Sequence, residues 1–405
     1  MTDVGTPTEQ PYDFRLSDYA RSIETLEHPQ DYLAEKVATT RFERSPDGAI
    51  YLYRHEDILK LNRHPAILGN GGRGSMVPGM PFVPLEVDGD EHSRWRRILD
   101  PLFAPKQIAR LEGTIRELTA ELVDGFADDA SVEMYSRFCV PLPCITFLRL
   151  FGAPVEDLDF FLDYKRDMLR PECDTPEENF EKMQGAALRI AAYFIDVMQK
   201  RRKAGPGDDI LWALLQAEID GEPLSEAQLL SIIMLMMFAG LDTVTASLSL
   251  MIHWLAQHRD VRQRIIADPT LTRGLVEELL RYESPVQTGT RYAAEDVDLG
   301  DGLVIKEGEA ILASWGTANL DPNAHPDPLG VDIDRPRHQH IAFASGTHRC
   351  LGSNLARLEL RVALDELHKR LPNYSLQPGE TIRLVNMPVR TIEYLPLSIG
   401  GAPAG

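Results

Sequence analysis

Along the chain the hydrophobic pattern first alternates like a strand at GAIYLY, residues 48–53. HEDILKLNRHP, just after it, has the three- and four-residue spacing of a helix. The next stretch, LGNGGRGSMVPGMPFVPLEVDGDEH, has no period and is rich in Gly, Pro and Met, the composition of a long functional loop. From about Ser93 to Glu283 helical spacing runs almost unbroken, punctuated by Pro101, Pro105, Gly152, PECDTPEE and KAGPGDD. Within it, PLSEAQLLS marks a helix start: Ser225 caps free amides and Gln228, three residues on, completes a capping box. Carried to about His258, this helix is roughly 50 Å long at 1.5 Å per residue. Beyond Pro285 the pattern changes to short strands, TRYAAEDVDLGDGLVI with GEAILASW, then YSLQP, TIRLVN and VRTIEYLPLSI. The expectation is a mainly α chain with smaller β-sheets (α+β), α-rich over about 90–285 and β-containing over about 286–405.

The stretch Leu229–Ala256 is long enough to span a bilayer. Its one charge, Asp242, is central, and no Lys/Arg asymmetry or aromatic belt frames it, so a core helix is the preferred reading. A formal net charge of -20 argues against a nucleic-acid partner. Cys139, Cys144, Cys173 and Cys350 are too scattered for a disulfide framework or a zinc site. The first twenty residues lack a basic segment followed by an apolar one, so a cytoplasmic protein without a membrane anchor is expected.

Four stretches carry candidate chemistry. In FASGTHRCLGSNLARLEL, Phe343–Leu360, Gly346 permits a tight turn and Gly352 lets backbone approach a flat, bulky group. The helix starting after Cys350 offers free amides to a thiolate. A lone cysteine there would read as inert packing; the aromatic, the two glycines and the cysteine together favour a ligand loop. In AGLDTVT, Ala239–Thr245, polar residues and Gly240 interrupt the apolar helix, which fits a kink or groove as well as plain packing. Glu278 and Arg281 in VEELLRYESP stand at i, i+3, and His92 and Arg96 in DEHSRWRR share a helix face at i, i+4.

FASGTHRCLG resembles the haem-ligand signature of the cytochrome P-450 superfamily, the haem-thiolate monooxygenases, and the motifs follow in that family's order from about residue 10 to 400. The resemblance implies a single domain over 1–405 with the triangular-prism fold, haem b lying between the long helix and the cysteine loop. Cys350 would be the iron ligand, its thiolate favouring O–O cleavage, and Phe343, Gly346 and Gly352 would shape the loop around it. His92, Arg96, Arg291 and His348 would contact the propionates. Asp242 and Thr243 would deliver protons during dioxygen cleavage. Glu278 and Arg281 would brace the core, joined by Arg335 or Arg337. The substrate pocket would draw on the 70–85 loop, residues near 160–185, Leu235, Phe238, Ala239, Gln287, Gly289 and Met387, with Arg73 and Arg170 nearby. Leu320 departs from the pattern, since many relatives carry Arg there.

By the same resemblance the chain is expected to be a monomeric monooxygenase inserting one atom of O2 into a medium-sized, mostly apolar molecule such as a terpenoid, a steroid or another natural product. With no flavin or iron–sulfur sequence of its own, it would draw electrons from a ferredoxin and its reductase. Arg94, Arg97, Arg349, Arg357 and Arg361 would form a local basic patch for that acidic partner. A peroxide-dependent peroxygenase and a non-catalytic haem-thiolate sensor are the alternatives. The first commonly lacks the helix acid–threonine pair, which this chain has.

Overall fold

The computed structural model describes residues 28–45, 48–69, 71, 81–171, 173–336, 339–386 and 389–399. Arg73, Arg337, Met387 and positions 70 and 72–80, which the resemblance places at or near the site, therefore lie outside the described residues. The main helices are α1 (Gln30–Thr39), α2 (His55–Arg63), α3 (Gly89–Leu99), α4 (Glu112–Asp124), α5 (Pro141–Leu150), α6 (Leu158–Leu169), α7 (Pro176–Ala204), α8 (Ile210–Leu215), α9 (Glu226–Gln257), α10 (Arg259–Ala267), α11 (Thr272–Glu283), α12 (Trp315–Ala318) and α13 (Ser353–Arg370).

Helix α9 is the axis of the fold. Its start is the capping box read from sequence: Gln228 N donates to Ser225 Oγ at 3.3 Å and Ser225 N to Gln228 Oε1 at 2.9 Å, satisfying two otherwise free amides. The helix packs against α5, α6, α7, α11 and α13. Among the described residues it is the one helix long and apolar enough to cross a membrane, and 72% of its most apolar stretch is buried inside the fold. It stays α-helical through Gly240, so any groove there comes from a missing side chain and not from a break in the helix.

The largest sheet is built from β1 (Phe42–Arg44), β2 (Ile50–Leu52), β3 (Ile67–Leu68), β5 (Thr288–Ala293) and β6 (Ala310–Ser314), in the order β1-β2-β6-β5-β3. Between β3 and β5 in sequence lies β4 (Ser131–Glu133). It joins β7 (Tyr374–Leu376) and β10 (Pro396–Ile399) in a second sheet, while β8 (Arg383–Val385) pairs with β9 (Thr391–Tyr394). Strand β4 and a short hairpin over Glu218–Pro223 interrupt the stretch that reads as almost continuous helix. Both are too short to leave a two-residue period, and β4 exists because Leu397 and its neighbours, far downstream, pair with it. Leu320, the departure from the family pattern, is fully buried in an apolar cluster with Leu33, Val37 and Tyr53.

Candidate active site

The cysteine loop is pinned by its own backbone. Cys350 N donates to Phe343 O at 3.0 Å, and Arg349 N to Gly346 O at 3.2 Å. Gly346 has φ +71, and a Cβ there would lie 2.0 Å from the Asn62 carbonyl oxygen, so conformation and contact with α2 both require glycine. Ala344 adopts φ +54, an uncommon conformation for a residue with a Cβ. Arg357 caps the Phe343 ring at 4.4 Å while its Nε bonds Glu277 at 2.6 Å. Cys139 and Cys144 are buried and Cys173 half-buried, whereas the Cys350 side chain is accessible. Desolvation by the surrounding loop raises the proton affinity of Cys350, opposed by the Gly352 amide and the positive charges of Arg96, Arg357 and Arg349.

Four cationic or imidazole side chains from distant parts of the chain meet beside this loop. The His92 ring on α3 lies 4.3 Å from that of His348. Burial, then the neighbouring His348 and Arg96, push His92 down to about 4, and its buried Nδ1 has no partner. Arg96 reaches the Arg349 carbonyl at 2.8 Å and Asp100 at 2.7 Å. Arg291 on β5 is buried; its Nε donates to Asn62 Oδ1 at 3.1 Å and its Nη1 to its neighbour's carbonyl, Thr290 O, at 2.7 Å. Desolvation lowers Arg291 to about 10, with only the charge of Asp88 opposing. A guanidinium buried without a hydrogen-bonded carboxylate is costly unless an anion joins it. His348 Nε2, by contrast, already lies 3.0 Å from Asp88 Oδ1, leaving Nδ1 for any further contact.

On α9, Met236, Ala239, Gly240 and Thr243 form an accessible stripe at helical spacing, flanked by the half-buried Phe238, with Ala239 the most exposed. A Cβ on Gly240, like one on Gly352, would meet no atom within 4 Å. Thr243 Oγ1 donates to Ala239 O at 2.9 Å, the back-bond expected of a mid-helix threonine. Asp242 leaves this face. It is buried, with Lys165 Nζ 3.2 Å from Oδ1 and Arg170 3.7 Å from Oδ2. Thus the structure separates two neighbours that the sequence reads as one unit.

These features fit haem b. An accessible sulfur, glycines that leave room for a flat macrocycle, and Arg291 with the unpartnered His92 Nδ1 as donors for anionic propionates are what the group requires. Below them, Glu278 and Arg281 are fully buried and pair at 2.8 Å; Arg335 Nε adds a 3.0 Å contact to Glu278. Arg281 also donates to the carbonyls of Asn319, Pro328 and Gly330, which satisfies a charge that burial would otherwise make prohibitive.

Of the residues expected in a substrate pocket, Leu235 is nearly buried, and the Phe238 ring lies 6.1 Å from that of Phe82. Val83 N donates to Ser231 Oγ at 3.1 Å, which holds the end of the 70–85 loop against α9. Gln287 turns away: its Nε2 donates to Glu283 O and Ser284 O at the end of α11. Gly289 is covered by the Trp315 ring. Arg170 is held by Glu393 at 2.9 Å and is not free to grip a substrate carboxylate.

Sequence reasoning missed Lys165, Asp88 and Asn62. Lys165 carried a signal, since it interrupts the buried stripe of α6 between Phe161 and Met168. Asp88, which accepts from the amides of Gly69 and Gly71, and Asn62, which links Arg291 to Ser345 Oγ, carried none.

The family model for Cytochrome P450 matches residues 161–389. The mycinamicin IV hydroxylase/epoxidase of Micromonospora griseorubida is 38% identical over 84% of this chain and 86% of its own. The polyketide biosynthesis cytochrome P450 PksS of Bacillus subtilis is 35% identical over 90% of this chain and 93% of its own. The solved structure of PksS superposes with a TM-score of 0.83 at 31% identity, covering 92% of this chain and 97% of that one. CYP109E1 from Bacillus megaterium, in complex with corticosterone, superposes with a TM-score of 0.83 at 26% identity, covering 91% and 98%.

Proposed function

The chain belongs to the cytochrome P450 family, and from that premise we propose that it hydroxylates or epoxidises a medium-sized, mostly apolar natural product such as a polyketide, terpenoid or steroid. It is a monooxygenase that uses haem b and O2, acting on a small molecule with electrons from a redox partner. When bound, the haem supplies the redox chemistry that activates dioxygen, with the thiolate favouring O–O cleavage.

The observation that carries this reading is the accessible stripe on α9 paired with the accessible Cys350 thiol. Ala239 and Gly240 leave room for substrate; Phe238, Phe82 and Leu235 supply apolar walls. Thr243, on the stripe, would hold and pass a proton through Oγ1, and Asp242 would resupply it only after leaving Lys165 and taking up a proton from solvent. Cys350 would ligate the iron, and His92, Arg96, Arg291 and His348 would hold the propionates. The mycinamicin and polyketide names among the relatives, and the corticosterone bound by CYP109E1, support the substrate class.

The electron donor we propose is an acidic ferredoxin, served by its reductase. Its landing surface is narrower than charge counting suggests. Arg94 pairs with Asp220, Arg357 with Glu277, and Arg361 with Glu112 and Asp365. Among the described residues Arg97, Arg273 and Arg349 have no ion-pair partner. The last two line a cleft of about 630 Å³ shared with Asn354 and Arg357. A cytoplasmic location accords with the acidic net charge and the buried α9.

The test is turnover of an apolar compound library with NADH, ferredoxin and reductase under 18O2. Product carrying one 18O atom supports the reading. Product formed only with hydrogen peroxide would replace it with a peroxygenase. Loss of the long-wavelength Soret band of the reduced carbonyl complex in Cys350→His checks the ligand, and survival of that band would refute it.

A further inference from the structure

In the antiparallel register of β5 and β6, Arg291 stands opposite Ile311 and Gly289 opposite Ala313. Side chains at these four positions point to one face of the sheet, the face that α2 covers. Beside Arg291 the facing pair is therefore Gly and Ala, the two smallest residues. The space they leave is taken by Trp315, the first residue of α12. A Cβ on Gly289 would lie 2.2 Å from its Cζ2, 2.6 Å from Cη2 and 3.0 Å from Cε2, the atom that bears the indole nitrogen.

That nitrogen has nothing to donate to. Trp315 Nε1 is buried and without a hydrogen-bond partner, although the ring as a whole is only half-buried against Ala313 and its apolar neighbours. Buried indole N–H groups normally find an acceptor. One residue pair along the same face lies Arg291, a buried guanidinium that is bonded only to neutral oxygens. A charged donor and a neutral donor thus share one face, both lacking an anion.

We infer that Trp315 donates its indole N–H to the haem propionate that Arg291 holds, making it a further cofactor-binding residue of this chain. The inference rests on the assignment of Arg291 to a propionate. The indole adds a hydrogen bond without adding charge, and its rigid ring, seated where Gly289 and Ala313 permit, keeps the donor aimed at little entropic cost. The competing acceptor is Gln287 Oε1, also buried and unpartnered, which lies 2.1 Å from where a Cβ on the next residue, Gly316, would stand.

Trp315→Phe keeps an aromatic ring at the position and removes the donor. Haem transfer from the holoprotein to excess apomyoglobin is measured for parent and variant, each reconstituted with haem b or with its dimethyl ester, which lacks the carboxylates. The expected result is loss of haem b roughly tenfold faster from the variant, with the two proteins indistinguishable when they hold the ester. Equal rates with haem b, or the same acceleration with both haems, would overturn the role of Trp315. Equal retention of haem b and ester by the parent would overturn the Arg291 assignment and this inference with it. If the variant fails to take up haem, the ultraviolet resonance Raman indole N–H band of the parent decides. It must differ between haem b and ester, and an unchanged band means that Trp315 bonds Gln287 or nothing.

Discussion

Lys165 Nζ lies 3.2 Å from Asp242 Oδ1 in a place where both side chains are buried, and the same ammonium is 3.3 Å from Thr245 Oγ1. The carboxylate nearest to Thr243 in sequence thus faces α6, about 100° around the helix from the accessible stripe. A buried pair of this kind is weak evidence for net stability, but breaking it strands a charge.

Lys165→Met is therefore expected to lower the unfolding free energy by about 3–5 kcal/mol, and Asp242→Asn by a comparable amount, while the double variant recovers a large part of the loss. Urea denaturation of the four proteins checks it. Additive losses would show that the two groups do not interact.

Thr243→Ala removes the Oγ1 that back-bonds to Ala239 without touching a packed apolar contact. Haem and substrate binding should persist while a larger share of NADH oxidation ends as peroxide instead of product. Asp242→Asn should slow turnover by on the order of 10²-fold, the usual worth of a positioned proton donor. Peroxide titration against NADH consumed and product formed measures both, and unchanged coupling in both variants would remove the relay.

Reduction by an acidic ferredoxin should slow as salt rises, because screening weakens steering between exposed charges. Arg97→Glu with Arg273→Glu should abolish most of that salt dependence. Arg94→Glu should matter less, since Asp220 already neutralises Arg94. Stopped-flow reduction rates in graded NaCl separate these outcomes.

Glu359 on α13 is fully buried, and its Oε2 has no donor; burial lifts it to about 8 from an ordinary 4.5. The folded chain therefore keeps a proton that the unfolded chain releases as pH climbs from about 4.5 to 8. Over that window the residue costs about 1.4 kcal/mol of stability per pH unit. Glu359→Gln should match the parent near pH 4.5 and exceed it increasingly toward pH 8 in urea unfolding, whereas a constant difference would mean that Glu359 does not titrate there.

Some of this architecture is legible residue by residue. The start and end of α9 could be read because a capping box and a run of apolar residues are local signals, and Glu278 with Arg281 because they stand at i, i+3. The partners of Asp242 could not be, since Lys165 and Arg170 arrive from another helix and only the oddity of a lysine in an apolar stripe hints at them. Strand β4 was invisible because three residues carry no period and the strand it pairs with closes the described chain. The extent of the basic patch was illegible for a related reason. Sequence counts arginines, but only the fold tells which of them Asp220, Glu277 and Glu112 have already neutralised.

The burial of α9 also sets a schedule for the ribosome. The helix ends at Gln257, yet Ile392 N donates to Ser249 Oγ at 3.1 Å, so part of its cover is synthesised about 130 residues later. At 5–20 residues per second that interval is roughly 7–27 s, during which an apolar rod long enough to cross a membrane waits for its last partners. Expression hosts poor in chaperones are therefore expected to lose this protein to aggregation between translation and closure, before stability of the finished fold has any bearing on yield.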